Sequence, residues 1–210
     1  PHFLFNTLNT LSRMAMFEGA PKTQDLADRL TRLLRFTLSR IDQLIPLREE
    51  LVRVEDYLRI QQVRFGERIR YRVEVPDEVL EARIPILTVQ PLVENAVVRG
   101  LEPLPEGGEV LIRGERDGND ALIDVIDDGT GLDLDAANSY LSRSLPPSGG
   151  GHTTGLGIPN VHQRLQHYFG TRYGLSFLPV VKGTQVRIRV PLRSQGSGMD
   201  AAAQDAHRRG

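Results

Sequence analysis

The apolar residues of this chain change their spacing once, near residue 66, and that change rules out a fold built from one kind of element. Ahead of it Leu4, Leu8, Leu11 and Ala15 share one face of a helix, as do Leu26, Leu30, Leu33 and Thr37, with Gly19, Ala20 and Pro21 between the two runs. A third stripe, Leu47, Leu51, Val54 and Leu58, leaves Glu49, Glu50, Arg53, Glu55 and Arg59 mostly on the other side. Beyond it Ile69, Tyr71, Val73 and Val75 alternate with Arg70, Arg72 and Glu74 until Pro76 and Asp77 stop the strand. A helical period of about 3.6 residues followed by a period of two demands a helical region and then a sheet, so the expected class is α+β.

The remaining elements follow from the same two periods. Residues 109–126 read as a hairpin, with strands around 110–112 and 122–126 joined through Asp117 and Gly118. Val186, Ile188 and Val190 mark a final strand, and apolar helical stretches fall at 87–98 and 160–169, which completes an α/β sandwich. Residues 132–154 carry only a short helical patch near 136–141 before Pro146, Pro147, Ser148 and three consecutive glycines, the pattern of a mobile loop. Residues 194–210 are small and polar and read as a disordered tail. The expected division is a helical region over 1–65, a sandwich domain over 66–193 and a tail over 194–210. Short amphipathic helices need cover for their apolar faces, and a helical pair commonly finds it in a four-helix bundle with a second copy, so a homodimer is expected.

Composition narrows the chemistry. A formal charge of -1 gives no general attraction to nucleic acid or anionic membrane, so no direct nucleic-acid contact is expected and any phosphate recognition must be local. The absence of cysteine excludes disulfides, thiolate nucleophiles and zinc sites built on sulfur. No apolar run approaches the roughly 18 residues of a membrane span, and the start at Pro1, directly before a dense motif, reads as that of a fragment.

Four places carry candidate chemistry. Residues 125–131, V-I-D-D-G-T-G, put Asp127 at the end of an apolar strand, where its carboxylate can accept a hydrogen bond from an exocyclic amine such as that of adenine. Gly129 and Gly131 let backbone approach a flat ring, although the same letters fit an ordinary turn. Gly155, Leu156 and Gly157 precede a helix whose free N–H groups and dipole suit phosphate oxygens. The run Q-P-L-V-E-N-A-V-V-R-G supplies Glu94, able to orient or activate an acceptor, and Asn95, whose amide oxygen is a hard ligand for magnesium; both also fit the wet face of a helix. At the front, P-H-F-L-F-N sets His2 and Asn6 one helical turn apart, and a neutral imidazole is a competent phosphoryl acceptor. His162 and His167 lack the spacing of a helical metal pair and read as surface residues.

Taken in order, P-H-F-L-F-N-T-L-N, L-R-E-E-L, Q-P-L-V-E-N-A, D-D-G-T-G and G-L-G-I-P-N-V-H-Q-R-L resemble the LytS-type sensor histidine kinases over residues 1 to about 193. The resemblance implies a dimerising helical region followed by an ATP-binding sandwich of Bergerat (GHKL) type. It implies phosphorylation of His2, magnesium on Asn95, an adenine site of Asp127, Gly129, Gly131 and Thr184, phosphates facing Gly155 and Gly157, and an ATP lid over 132–154. It also implies transfer to the aspartate of a response regulator, often a DNA-binding one, and a cytoplasmic position in a sensor anchored in the plasma membrane through an upstream region. Two departures stand out. Val98 and Arg99 occupy the places where the family usually has Lys and His, so that a phosphate contact is lost unless the Arg99 guanidinium restores it, and Asp128 stands where Asn is common, adding negative charge near the nucleotide.

These residues compose an in-line transfer in which Mg2+ neutralises phosphate oxygens of ATP, the glycine turns and Arg99 position them, and His2 attacks, with Glu94 assisting the imidazole and Asn6 available to orient water for dephosphorylation. Segment 65–67 is the expected hinge between the two parts. The competing reading is a non-catalytic ATP-sensing dimer, to which the missing Lys at Val98 points. A serine kinase of the same ATP fold does not need the P-H-F-L-F-N block, and a purely structural helical adaptor does not need the glycine motifs.

Overall fold

The computed structural model describes residues 2–39, 43–141 and 157–192. Helix α1 (His2–Phe17) ends at Gly19, whose φ of 67° stops the helix, and α2 (Pro21–Ser39) starts with proline at its first position, where no N–H is needed. The two helices form a hairpin. Leu8, Ser12 and Ala15 of α1 and Ala27, Thr31 and Phe36 of α2 are buried, Phe36 in a small cluster with Ile45 and Ile86, while Leu26, Leu30 and Leu33 are half-buried, one step round the helix from the stripe expected to be innermost. Ser12 donates to Asp28 across this hairpin.

A short strand β1 (Leu44–Pro46) leads into α3 (Leu47–Phe65). Glu49 and Glu50 in its first turn suit the helix dipole, and Gly66, with φ 64°, closes it. Then come a 3-10 turn (Gly66–Arg68), β2 (Ile69–Glu74), α4 (Asp77–Leu80), β3 (Arg83–Pro85) and α5 (Gln90–Asn95), which widens into a π-helical turn (Ala96–Leu101). Strands β4 (Gly108–Asp117) and β5 (Asp120–Asp127) form the expected hairpin, longer than its sequence pattern, with Gly118 at φ 61° in the turn. Helices α6 (Leu134–Leu141) and α7 (Gly157–Phe169) and strands β6 (Gly174–Leu178) and β7 (Thr184–Pro191) complete the chain.

The main sheet has the order β2-β4-β5-β7-β6, with β2 and β4 parallel and the other pairs antiparallel, and β1 pairs with β3 in a second, two-stranded sheet. One face of the main sheet, including Ile69, Val110, Ile112, Ile123, Val125, Val186 and Ile188, packs against the stripes of α3, α5 and α7 in a single apolar core. The expected stripe Leu47, Leu51, Val54 and Leu58 is wholly inside that core, so α3 packs with the sheet.

Two expectations change. Glu50, read as lying off the stripe, is fully buried and accepts the backbone N–H groups of Val89 and Gln90 at the start of α5. Those N–H groups have no partner within a helix, so a carboxylate from α3 serves as their acceptor. Segment 65–67, read as a hinge, is tied in place: Phe65 packs on the core, the Arg64 guanidinium lies 4.4 Å from its ring centre, and Arg68 donates to the carbonyl of Leu104 at 2.6 Å.

Candidate functional site

The side chains that the motifs singled out converge at the end of the sheet where β5 stops. Register pairing sets Asp127, the last residue of β5, opposite Thr184, the first of β7. Asp127 is 4% exposed, its Oδ1 accepts the N–H of Gly129 at 3.0 Å, and Thr184 also donates to its carboxylate. Burial outweighs these hydrogen bonds and pushes the Asp127 carboxyl up to about 6.

The glycines around this carboxylate act by what they lack. A Cβ on Gly100 would stand 2.7 Å from Asp127 Oδ1, and one on Gly129 would run into the backbone of Gly100. Gly131 has φ 74° and turns the chain away beneath Gly183. Thr130 fastens this turn to the π-helical one, its N–H donating to Gly100 O and its hydroxyl to Arg99 O. The widened turn therefore sets the backbone of Arg99 and Gly100 against the aspartate turn.

Asp127 opens on a cavity of about 660 Å³ lined also by Asn95, Val98, Arg99, Gly100, Pro103, Thr130, Gly131, Leu132, Ala137, Tyr140, Ile158, Phe177 and Thr184. The structure thus brings together Asn95, Arg99, Asp127, Gly131 and Thr184. Gly129 supports the cavity through its contact with Gly100 without lining it, and Gly157, at the start of α7, lies against Pro91. Gly155, Leu156 and the part of the expected lid over 142–154 lie outside the described residues, as does the tail 194–210.

Other expected residues are elsewhere. Glu94 does not line the cavity; it accepts a hydrogen bond from Gln90 Nε2 at 2.7 Å. His2 stands exposed on α1, where the Asn6 amide lies 3.2 Å from its Nδ1, the one-turn pairing that their spacing implied. His2 is not among the lining residues. Asp128 does not line the cavity: its Oδ1 accepts the N–H of Glu109 at 2.7 Å and holds the start of β4, while its charge adds to the upward push on the Asp127 carboxyl. His162 is no bystander on the surface either: its Nδ1 accepts the N–H of Leu175 at 3.0 Å, and burial holds its pKa below the usual range.

Several lining residues escaped the sequence reading. Tyr140, Phe177, Ala137 and Ile158 come from α6, β6 and α7, and only an alternation of Leu175 and Phe177 between Gly174 and Pro179 hinted at the strand that carries one of them. Among the described residues no three His, Asp or Glu side chains cluster as a metal site. Asn95 at the cavity wall is the residue whose amide oxygen could hold magnesium, with phosphate oxygens and water completing its shell.

A strand-end carboxylate, glycine-dependent turns and an open-ended α/β sandwich define a GHKL-type ATPase domain. The chain belongs to the family described as histidine kinase-, DNA gyrase B-, and HSP90-like ATPase, whose model matches residues 82–194, and a second model, described as histidine kinase, matches residues 1–69. The sensor histidine kinase YesM of Bacillus subtilis is 33% identical over 93% of this chain and 32% of its own length. The sensor protein LytS of Oceanobacillus iheyensis is 30% identical over 92% of this chain and 33% of its own, so this chain spans about a third of the length of these two relatives. The histidine kinase domain of the blue-light activated histidine kinase of Erythrobacter litoralis has the same fold, with a TM-score of 0.51 and 19% identity over 89% of this chain and 83% of that one. The expected LytS-type family and Bergerat fold are both borne out.

Proposed function

We propose that this chain is the catalytic core of a sensor histidine kinase of a two-component system, moving the γ-phosphoryl group of ATP to His2 and from there to an aspartate of a response regulator. The observation that carries this reading is the buried Asp127 carboxylate opening on a cavity of about 660 Å³, in a chain that also holds an exposed imidazole paired with an amide on a separate helical hairpin. Asp127 and Thr184 would take the adenine amine, with Gly129 and Gly131 beneath the ring. Arg99, Gly155, Leu156 and Gly157 would face the phosphates, and Asn95 would hold Mg2+, which when bound neutralises their charge.

In the transfer a lone pair of the His2 ring attacks phosphorus, the bond from the γ-phosphorus to the bridging oxygen breaks, and ADP leaves; the ring then loses its N–H proton, for which Glu94 is the proposed acceptor. Asn6 would orient water when the partner is dephosphorylated. We assign residues 1–65 to the phosphoacceptor and dimerisation region, its α1 and α2 forming the hairpin while α3 packs on the ATP-binding part, 66–193 to ATP binding and 194–210 to a tail. The exposed Phe3, Leu4, Leu11, Met14 and Met16 of α1 support a homodimer through the helical hairpin. Among the described residues no helix is long and apolar enough to cross a membrane, and the proposed setting is the cytoplasmic side of a membrane-anchored sensor.

The deciding experiment is incubation with Mg2+ and γ-labelled ATP. Acid-labile, alkali-stable label on the wild type, lost in His2→Gln, is the expected result. Binding of ATP without label, with and without any upstream segment, would instead favour an ATP-sensing dimer.

A further inference from the structure

Strand β6 is an edge of the main sheet, bonded on one side to β7. The backbone groups on its other side would stand open to solvent or to another chain, yet they are closed by side chains. Phe177 N–H donates to Asn138 Oδ1 at 3.0 Å, Asn138 Nδ2 donates to Phe177 O at 3.1 Å, and the same Nδ2 also donates to Leu134 O at 3.1 Å. One amide thus pairs with one residue of β6 as a neighbouring strand would. Only one orientation of the amide satisfies both groups of Phe177, since one must accept and the other donate. Two residues back along the same edge, Leu175 N–H is taken by His162 of α7.

These contacts add directional pairing to elements that the apolar core already holds together, Leu134, Ala137 and Leu141 of α6 packing in the same cluster as Leu175 and Phe177. Asn138 lies on α6 between Ala137 and Tyr140, which line the cavity, and its partner Phe177 lines it from β6. The Phe177 ring faces the apolar core with 7% exposure, so the strand is anchored from within and α6 is anchored to the strand.

We propose that Asn138 is a positioning residue for nucleotide, fixing the wall formed by Ala137, Tyr140 and Phe177 by pairing its amide with the backbone of Phe177. The inference rests on the reading of the cavity as a nucleotide site. Loss of the pair leaves two half-buried backbone groups without partners and lets α6 move away from β6.

The test measures dissociation constants for ATP by calorimetry and the KM and kcat of His2 labelling, in wild type, Asn138→Ala and Asn138→Asp. Asn138→Ala is expected to bind ATP about tenfold more weakly at pH 7.5, as the loss of two modest hydrogen bonds implies, with most of the effect in KM and little in kcat. Asn138→Asp provides a signature that lost packing cannot give. As a carboxylate it repels Phe177 O and binds weakly at pH 8; as a carboxylic acid it donates to Phe177 O and accepts from Phe177 N–H. Its dissociation constant, divided by that of wild type at the same pH, should therefore fall toward one as the pH is lowered through the range in which the new carboxyl takes up its proton. Should Asn138→Ala fail to fold, the isosteric aspartate carries the comparison. Wild-type affinity in both variants at pH 7.5, or a ratio for Asn138→Asp that does not change with pH, overturns the proposal while nucleotide binding stands. Failure of the wild type to bind ATP removes both.

Discussion

Replacing Glu50 by Gln tests the packing behind the site. The carboxyl of Glu50 has 0% exposure, and burial pushes its pKa from 4.5 up to about 7, against the opposing influence of the Val89, Gln90 and Thr88 backbone groups and of Arg164. Its Oε1 accepts from Val89 and Gln90, while among the described residues Oε2 has no partner within hydrogen-bonding geometry. A folded-state pKa above the unfolded one means that the folded protein holds the proton more tightly, so the contribution to stability is complete below about pH 4.5 and is lost as pH rises through 7. With those two values the loss between pH 5 and pH 8 is roughly 2 to 3 kcal/mol. Gln cannot ionise and keeps an oxygen for the two N–H groups. Urea unfolding of both proteins at pH 5, 6, 7 and 8 should then show Glu50→Gln gaining on wild type by roughly 2 to 3 kcal/mol over that range, every other titrating group cancelling in the difference. A difference that stays constant with pH within about 0.5 kcal/mol would refute the claim that this carboxyl is buried with its charge uncompensated.

Three further outcomes follow from the site and its supports. Asp127 accepts more strongly from an adenine amine when ionised, so with its pKa at about 6 the dissociation constant for ATP should rise by up to about tenfold between pH 7.5 and pH 5, a dependence that calorimetry would fail to find if another group makes that contact; the ATP-free protein shifts the opposite way, gaining stability from this group as pH falls below 6. Gly100→Ala places a methyl group 2.7 Å from Asp127 Oδ1 and should abolish ATP binding in a protein whose far-ultraviolet circular dichroism is retained; binding within threefold of wild type would show that the carboxylate can move aside. Asp56→Asn removes the charge that Arg29 and Arg32 address and should cost about 2 kcal/mol in urea unfolding, whereas a loss below about 0.5 kcal/mol would make these pairs superficial.

What the sequence disclosed was whatever depends on neighbours along the chain. The stripe Leu47, Leu51, Val54 and Leu58, the alternation in β2 and β7 and the turn at Gly118 are local patterns, and each appears in the structure. Asp127, Gly131, Asn95 and Arg99 were legible because strand-end and glycine-turn chemistry is local too. The five-residue β6 gave too short an alternation to announce a strand, and β1 and β3, three residues each with Pro46 and Pro85 at their ends, gave none. Glu50 misled for a different reason: the helical wheel of α3 describes only α3, and what buries this carboxyl is the start of α5, about 40 residues on, whose N–H groups need an acceptor. Asp128 likewise found its partner, the N–H of Glu109, across the hairpin. The apolar wall of Ala137, Tyr140, Ile158 and Phe177 is assembled from three elements with no shared motif, so no reading along the chain could collect it.

Helix α3 explains why a boundary drawn from periodicity is not a boundary in packing. Its apolar stripe lies in the same core as the sheet, while Asp56, 3% exposed, receives Arg29 Nη1 at 2.9 Å and Arg32 Nη2 at 2.8 Å from α2. One helix is therefore held by oil on one side and by charge on the other. The two attachments differ in how they yield. The apolar stripe can separate from the core only by exposing several large side chains together, at roughly 1.5 to 3 kcal/mol each. The arginines are partly exposed, at 26% and 44%, so water can replace Asp56 around them, and separation costs a carboxylate left without partners together with the exposure of Phe36, which packs with Ile45 and Ile86, and of Leu33. If the hairpin that carries His2 moves relative to the cavity, the weaker seam is the one between α2 and α3, and α3 travels with the sheet.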